Sequence, residues 1–351
     1  MTEQVLLAPD QIRAAYADNT GKRDRDLAES LGITEGQLVA AFTGIDATKL
    51  SNSLDDLFPM LNGLGEVMAL TRNPSCVIEK VGRYDNYHSG AQASMVLTEE
   101  IDLRMFPGHW VHTFAIERET ENGTKRSLQI FDAAGDAVHK IFLRGGSDLT
   151  HWNKLVRTLA DKDQSQELTV EPRKPAEAAK ANPDKADALR TEWAKMTDTH
   201  QFLRLTSKLK MNRLGAYRVA GEPLARALEP SVISQMFEQV RDQSLEVMVF
   251  VGNRGCIEIH GGPVQMLKQM GPWFNILDPR FNLHLRSDHI SEVWAVTKPT
   301  QRGPAVSVEA FDAEGGLIFQ IFGRRSGETD HRAAWNTLVN GLQTLRTTEV
   351  A

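Results

Sequence analysis

Two stretches decide how this chain is built: EVMALTRNPSCVIEKVG at residues 66–82 and EVMVFVGNRGCIEIHGG at residues 246–262. They align without a gap at an offset of 246 − 66 = 180. SLQIFDAAGDAVHKIFLR from Ser127 and SVEAFDAEGGLIFQIFGR from Ser307 keep the offset (307 − 127 = 180), as do IDLRMF from Ile101 and FNLHLR from Phe281. The helical stretches HWNKLVRTL and AAWNTLVNGL close the two series, with a small indel. Three separated blocks at one offset signify a duplicated domain, since solenoid repeats have far shorter periods.

Each copy reads as an early helical region, then short β-rich runs, then a closing amphipathic helix holding Trp152 or Trp335. VMVFVGN and CIEIH read as strands, and AVSVEAFDAEGGLIFQIFG as a hairpin turning on DAEGG. The expected fold is α+β: tandem repeats, each an antiparallel sheet with helices packed on one face. The boundaries read as 1–160 for the first copy, 161–190 for a linker and 191–351 for the second copy. The linker stretch is polar and rich in Pro, Ala and Lys, so residues 163–185 are expected to pack poorly, with a helix starting near Glu192.

The chain has 351 residues and a formal net charge of −6, which weighs against a dedicated nucleic-acid binder. It has no apolar run long enough for a membrane span and no export pattern at its start, so a cytoplasmic location is expected. Two distant cysteines, Cys76 and Cys256, exclude a disulfide framework and a CxxC metal site. Their equivalent positions point to the core.

No Walker loop, dinucleotide fingerprint, HExxH or GxSxG motif is present. VGNRGC reads as a turn between strands. Residues 23–42 have the outline of a helix-turn-helix, but the second helix carries no Lys or Arg, and a helical hairpin covering the sheet is the preferred reading. His200, in TDTHQF, fits either a partly buried helix histidine or an axial metal ligand. Composition and spacing leave both open.

MTDTHQF, EVMVFVGNRGC, NILDPRFNLHL, TKPT, QIFGRR and the DLRMF of the first copy resemble the cytoplasmic haemin-degrading and haemin-trafficking factors of Gram-negative bacteria, the HmuS/HemS type. The resemblance runs over nearly the whole chain. It implies two stacked halves, each a large antiparallel sheet with packed helices, around a haem cleft. It also implies His200 as the proximal iron ligand and Arg104 as a distal, catalytic residue. Phe106 and Phe250 would lie against the porphyrin, and Arg213, Lys298, Gln320 and Arg325 near the propionates. Phe322 departs from the family, where a tyrosine is frequent; phenylalanine cannot donate the phenolic hydrogen bond. The residue types suit these roles. A porphyrin favours aromatic walls, propionates favour guanidinium partners, and Arg104 is a permanent donor that cannot act as a base. His284, the repeat equivalent of Arg104 (284 − 104 = 180), is a second ligand candidate better read as structural.

Two functions share this site. One is a haem-oxygenase-like enzyme that degrades haem and releases iron, with electrons from a separate donor. The other is a carrier that receives haem from an inner-membrane importer and passes it to an acceptor. A DNA-binding regulator using residues 23–42 is a third, weaker class.

Overall fold

The structure, a computed structural model, describes residues 7–327 and 329–345. The first copy runs α1 (Pro9–Ala17), α2 (Asp24–Ser30), α3 (Glu35–Ala40), β1 (Ala47–Leu50), α4 (Leu54–Leu61), β2 (Val67–Arg72), β3 (Cys76–Gly82), β4 (Tyr87–His88), β5 (Ser94–Leu97), β6 (Asp102–Met105), β7 (His112–Thr120), β8 (Gly123–Phe131), β9 (Ala137–Leu143) and α5 (Leu149–Leu159). The second runs α6 (Ala186–Ala194), α7 (Gln201–Lys208), α8 (Arg213–Ala220), β10 (Ala225–Leu228), α9 (Val232–Asp242), β11 (Val247–Gly252), β12 (Cys256–Gly262), β13 (Leu267–Met270), β14 (Trp273–Asp278), β15 (Phe281–Arg286), β16 (Glu292–Lys298), β17 (Ala305–Phe311), β18 (Leu317–Gly323), β19 (Arg325–Ser326), β20 (Thr329–Asp330) and α10 (Arg332–Gly341).

The strand orders are the same in both copies: β1-β7-β8-β9-β2-β3 against β10-β16-β17-β18-β11-β12, and β6-β5-β4 against β15-β14-β13. The duplication is therefore structural, and the architecture is α+β with tandem repeats. The compact units are not plain halves. Unit 1 takes residues up to Arg72, Glu79–Lys174 and Gly252–Glu258; unit 2 takes Asn73–Ile78, Pro175–Val251 and residues from Ile259 onward.

Helices cover both faces of each sheet, not one. In unit 1, Phe114, Ile116 and Phe131 pack under α1–α3 with Leu27, Leu38 and Val39. The alternate residues Ala115, Leu128 and Ile130 face Phe58, Leu61, Trp152 and Leu155 of α4 and α5. Unit 2 repeats the division, with Trp294, Val296 and Phe311 under α6–α8 and Val308, Ala310 and Ile321 under α9 and α10. The signal was the apolar runs FAI and VWAV, since a strand covered on both faces loses its polar alternation.

Both tight turns of the repeat have a local cause. The Asn253 side-chain oxygen accepts the amides of Gly255 and Cys256 at 2.9 and 3.0 Å, and Asn73 does the same for Ser75 and Cys76 at 2.9 Å. Such Asx turns make VGNRGC a hairpin. The DAEGG turn places Gly315 at φ +88° and Gly135, its counterpart, at +75°, a region that glycine enters freely.

The segment after α5 is held more firmly than its composition suggests. Leu168 is buried, the Glu171 amide donates to the Ala133 carbonyl at 2.7 Å, and Arg173 forks onto Asp136. Beyond it, Asn212 and Lys180 exchange two bonds. A methyl group on Gly215 would lie 1.9 Å from the Lys180 carbonyl oxygen, so only glycine allows that approach of α8. α6 starts at Ala186, ahead of the expected Glu192, because Leu189 and Trp193 anchor it in the core.

One buried charge network ties the helical layer of unit 1 to its sheet. Glu35, the first residue of α3, binds both Lys140 of β9 and Arg72 of β2. Its side chain is 6% exposed, against 10% for Lys140 and 16% for Arg72. Glu35→Gln would strand two cations. We expect unit 1 to lose about 3–5 kcal/mol in denaturant titration, and a Glu35→Leu, Lys140→Met, Arg72→Met triple variant to recover most of it.

Candidate functional site

The register of unit 2 sets out a row of side chains on one sheet face. Phe250 of β11 lies opposite Gln320 of β18, Gln320 opposite Glu309 of β17, and Glu309 opposite Trp294 of β16. The next row is Met248, Phe322, Ser307 and Val296. Directly paired residues share a face, and Trp294 and Val296 pack in the α6–α8 core, so this is the face those helices cover. The cover stops part-way. Glu309 and Ser307 are buried, while Gln320, Phe322, Met248 and Phe250 are half-exposed. The Phe250 and Phe322 rings meet edge to face at 5.5 Å. The uncovered strip is thus apolar and aromatic with one amide.

At its covered side sits a buried carboxylate with four partners. Glu309 accepts from Arg213 at 3.0 Å and from Tyr217, Lys298 and Ser307 at 2.8 Å each. The Lys298 ammonium also donates to the Tyr217 hydroxyl at 2.9 Å and lies over the Phe202 ring at 4.9 Å. Burial lowers Lys298 to about 8, against the pull of Glu309. Burial alone would raise the Glu309 carboxyl, but Lys298 and Arg213 hold it well below the usual carboxylate range. Two cations against one anion leave the network one positive charge in excess. Arg213 is its outer member, with a side chain 22% exposed, whereas that of Lys298 is 3% exposed. Lys298, expected to face a ligand, is committed to Glu309 inside the unit.

His200 immediately precedes α7 and its side chain is 93% exposed. It is therefore not a partly buried helix histidine. The Asp198 carboxylate takes the His200 backbone amide at 2.8 Å and its Nδ1 at 2.6 Å. Those two bonds hold Asp198 below the usual carboxylate range. A proton on Nδ1, donated to Asp198, leaves the Nε2 lone pair free, the arrangement that orients a metal-binding imidazole. Three residues on, hence on the same helix side, Leu203 is an exposed apolar residue at 55%. His284 of β15 likewise has its Nδ1 on a side-chain oxygen, that of Asn275 at 2.7 Å, and differs from His200 in being half-buried.

His200, Arg213, Phe250, Lys298, Gln320 and Arg325 all belong to unit 2, and Arg104 and Phe106 to unit 1. Arg104 of β6 is paired with Asp102 and donates to the Leu103 carbonyl, its side chain 32% exposed. The Phe106 amide donates to Gly255 at 2.9 Å. Arg325 is exposed on β19, opposite Asp330. Sequence reasoning missed Glu309, Tyr217, Asp198, Met248 and Leu203. The D-x-H spacing could have exposed Asp198; the others needed the register and the packing.

The residues present fit a flat, apolar dianion such as haem: a free imidazole nitrogen, an aromatic strip and a network of net positive charge. The comparisons agree. The family model for the haemin-degrading HemS/ChuX domain matches twice, at residues 32–159 and 210–342. The hemin transport protein HemS of Yersinia enterocolitica is 36% identical over 328 residues, covering 93% of this chain and 94% of that protein. The crystal structure of holo-PhuS, a heme-binding protein from Pseudomonas aeruginosa, matches with a TM-score of 0.92 at 43% identity, covering 97% of this chain and 100% of that one. The heme-degrading enzyme ChuS of Escherichia coli O157:H7 gives 0.85 at 32% identity, over 94% and 97% of the two chains. No described helix is long and apolar enough to cross a membrane. With both repeats matched and relatives aligned along nearly its full length, this chain belongs to the HemS/ChuX haemin-utilisation family.

Proposed function

We propose that the chain binds haem on the uncovered strip of unit 2, with His200 Nε2 as the iron ligand, and that it degrades the haem it binds. The observation that carries this is the Asp198–His200 pair: an exposed imidazole whose Nδ1 is fixed by a carboxylate. Phe250 and Phe322 offer aromatic surface, Met248, paired with Phe322 across the sheet, extends the apolar strip, and Arg213 offers the propionates a guanidinium. Gln320 supplies an amide where a phenol is absent at Phe322. Arg104 is the proposed distal donor. Haem, when bound, supplies the iron at which oxygen chemistry on its own ring proceeds. The protein orients it and provides donors. Electrons come from a separate donor in the cytoplasm.

The second reading is a carrier that takes haem from an importer and releases it to an acceptor. The exposure of His200 favours it, because a ligand at a helix end can be exchanged readily.

Two experiments test this. His200→Ala removes the iron–nitrogen bond but leaves the aromatic strip and Arg213, so haemin affinity should fall without vanishing and the Soret band should shift. His284→Ala should leave the band in place. A shift only in His284→Ala would refute the ligand assignment. In the second, the haemin complex is incubated with ascorbate, with and without air, and the pigments are identified. Degradation predicts an oxygen-dependent ring-opened tetrapyrrole, slowed in Arg104→Ala by about 100-fold or more, the usual scale for losing one such donor. Recovery of intact haem in apomyoglobin with no pigment formed would establish the carrier instead.

A further inference from the structure

The core of unit 1 contains a cluster that its duplicate does without. His139 of β9 lies between the Tyr84 hydroxyl, 2.6 Å from Nε2, and the Thr71 hydroxyl, 2.8 Å from Nδ1. Cys256 Sγ is 3.6 Å from the Thr71 hydroxyl, and Glu258 approaches His139 Nδ1 at 3.9 Å. The side chains of His139 and Glu258 are fully buried. At the same offset of 180, unit 2 places Phe319, Val264, Val251, Cys76 and Ile78, all in one apolar core. The fold therefore does not need polar groups at these positions.

The strong donors of the cluster are committed elsewhere, leaving only the weak S–H of Cys256. Tyr84 donates to Nε2 of a neutral imidazole, which burial keeps neutral by lowering it to about 3. Nδ1–H then donates to Thr71, and the Thr71 hydroxyl to Cys256. Thr71 carries the hydroxyl nearest Glu258, and with its single proton given to Cys256 neither carboxyl oxygen has a hydrogen-bond partner. A carboxylate without donors is costly inside a protein, whereas the protonated acid is far less so. Burial accordingly pushes Glu258 up to about 8, with Thr71 and Lys80 pulling down and Glu79 pushing up. The groups that face it are Thr71 of β2, Glu79 and Lys80 of β3, Tyr84, His139 of β9 and Cys256 of β12.

Glu258 ends Gly252–Glu258, the piece of the second half that belongs to unit 1. That piece is held by Trp110 Nε1 to the Gly255 carbonyl at 2.7 Å, by the Phe106 amide to the same oxygen, and by Asn253 to the Arg72 and Val138 carbonyls. We propose that Glu258 is a proton-operated latch: protonated, it lets this segment pack into unit 1, and ionised, it loosens the segment together with the backbone of Phe106. The sign follows from linkage. A carboxyl raised in the folded state gives stability that is complete below its unfolded value and lost as pH rises through its folded value. The proposal stands whether or not Phe106 touches haem.

Amide hydrogen exchange of the full chain without haem tests it, compared at about pH 6.5 and about pH 9 after correction for intrinsic chemistry. In the native chain, opening of residues 252–258 and 106 should rise about tenfold or more. Glu258→Gln and Glu258→Ile, the latter copying Ile78 of the duplicate, should show no such rise, and Glu258→Ile should be protected at both values. A native chain flat across this range overturns the latch on its own, whatever the variants do. An equal rise in Glu258→Gln also overturns it, by assigning the effect to another group.

Discussion

The carboxylate of Glu309 is the point on which the second unit's architecture turns. It is buried without exposure and bound by Arg213, Lys298, Tyr217 and Ser307. Taking a carboxylate out of water is costly, and only close cations and full hydrogen bonding offset that cost. Meeting the requirement fixes the start of α8 over β17, and α6 and α7 pack against α8 through Trp193, Phe202 and Tyr217. The helical layer packs on β10, β16 and β17 and reaches Leu317 at the start of β18, while Gln320 and Phe322 of β18 and Met248 and Phe250 of β11 are half-exposed. The excess positive charge beside the apolar strip comes from this buried carboxylate and its two cations.

The first unit solves the same problem with opposite polarity. Its third helix begins with an anion, Glu35, where the second unit's begins with a cation, Arg213, and the sheet answers with Lys140 and Arg72. At the offset of 180 Lys140 stands where unit 2 has Gln320, and Leu70 where it has Phe250. Both cations of unit 1 are paired inward. Duplication supplied the scaffold twice, and divergence of a few charged positions made the two faces chemically different. The polar cluster around His139 is a second divergence, in which apolar core positions of one copy became titratable in the other.

Much of this was legible in the residues. The constant offset yielded the duplication, and the DAEGG and VGNRGC segments yielded their hairpins through Asp, Asn and Gly. His200 and Phe250 were singled out by the family resemblance, since composition and spacing alone left His200 open. What the chain did not show was which partners a charge takes across the sheet. Lys298 reads as a ligand contact in TKPT, yet Glu309, eleven residues on, claims it through the register of β16 and β17. The segment at 161–190 reads as a linker because its anchors are backbone groups, the buried Leu168 and the Arg173–Asp136 pair. Composition cannot register those.

The claim that matters most is that haem is held on the open face of unit 2 through His200. A crystal structure of the haemin complex tests it directly. The account predicts one haem per chain, with the iron bonded to His200 Nε2, Asp198 still on Nδ1, and the ring against Phe250 and Phe322. Iron bonded instead to His284, or haem seated on the Leu70–Lys140 face of unit 1, would contradict it.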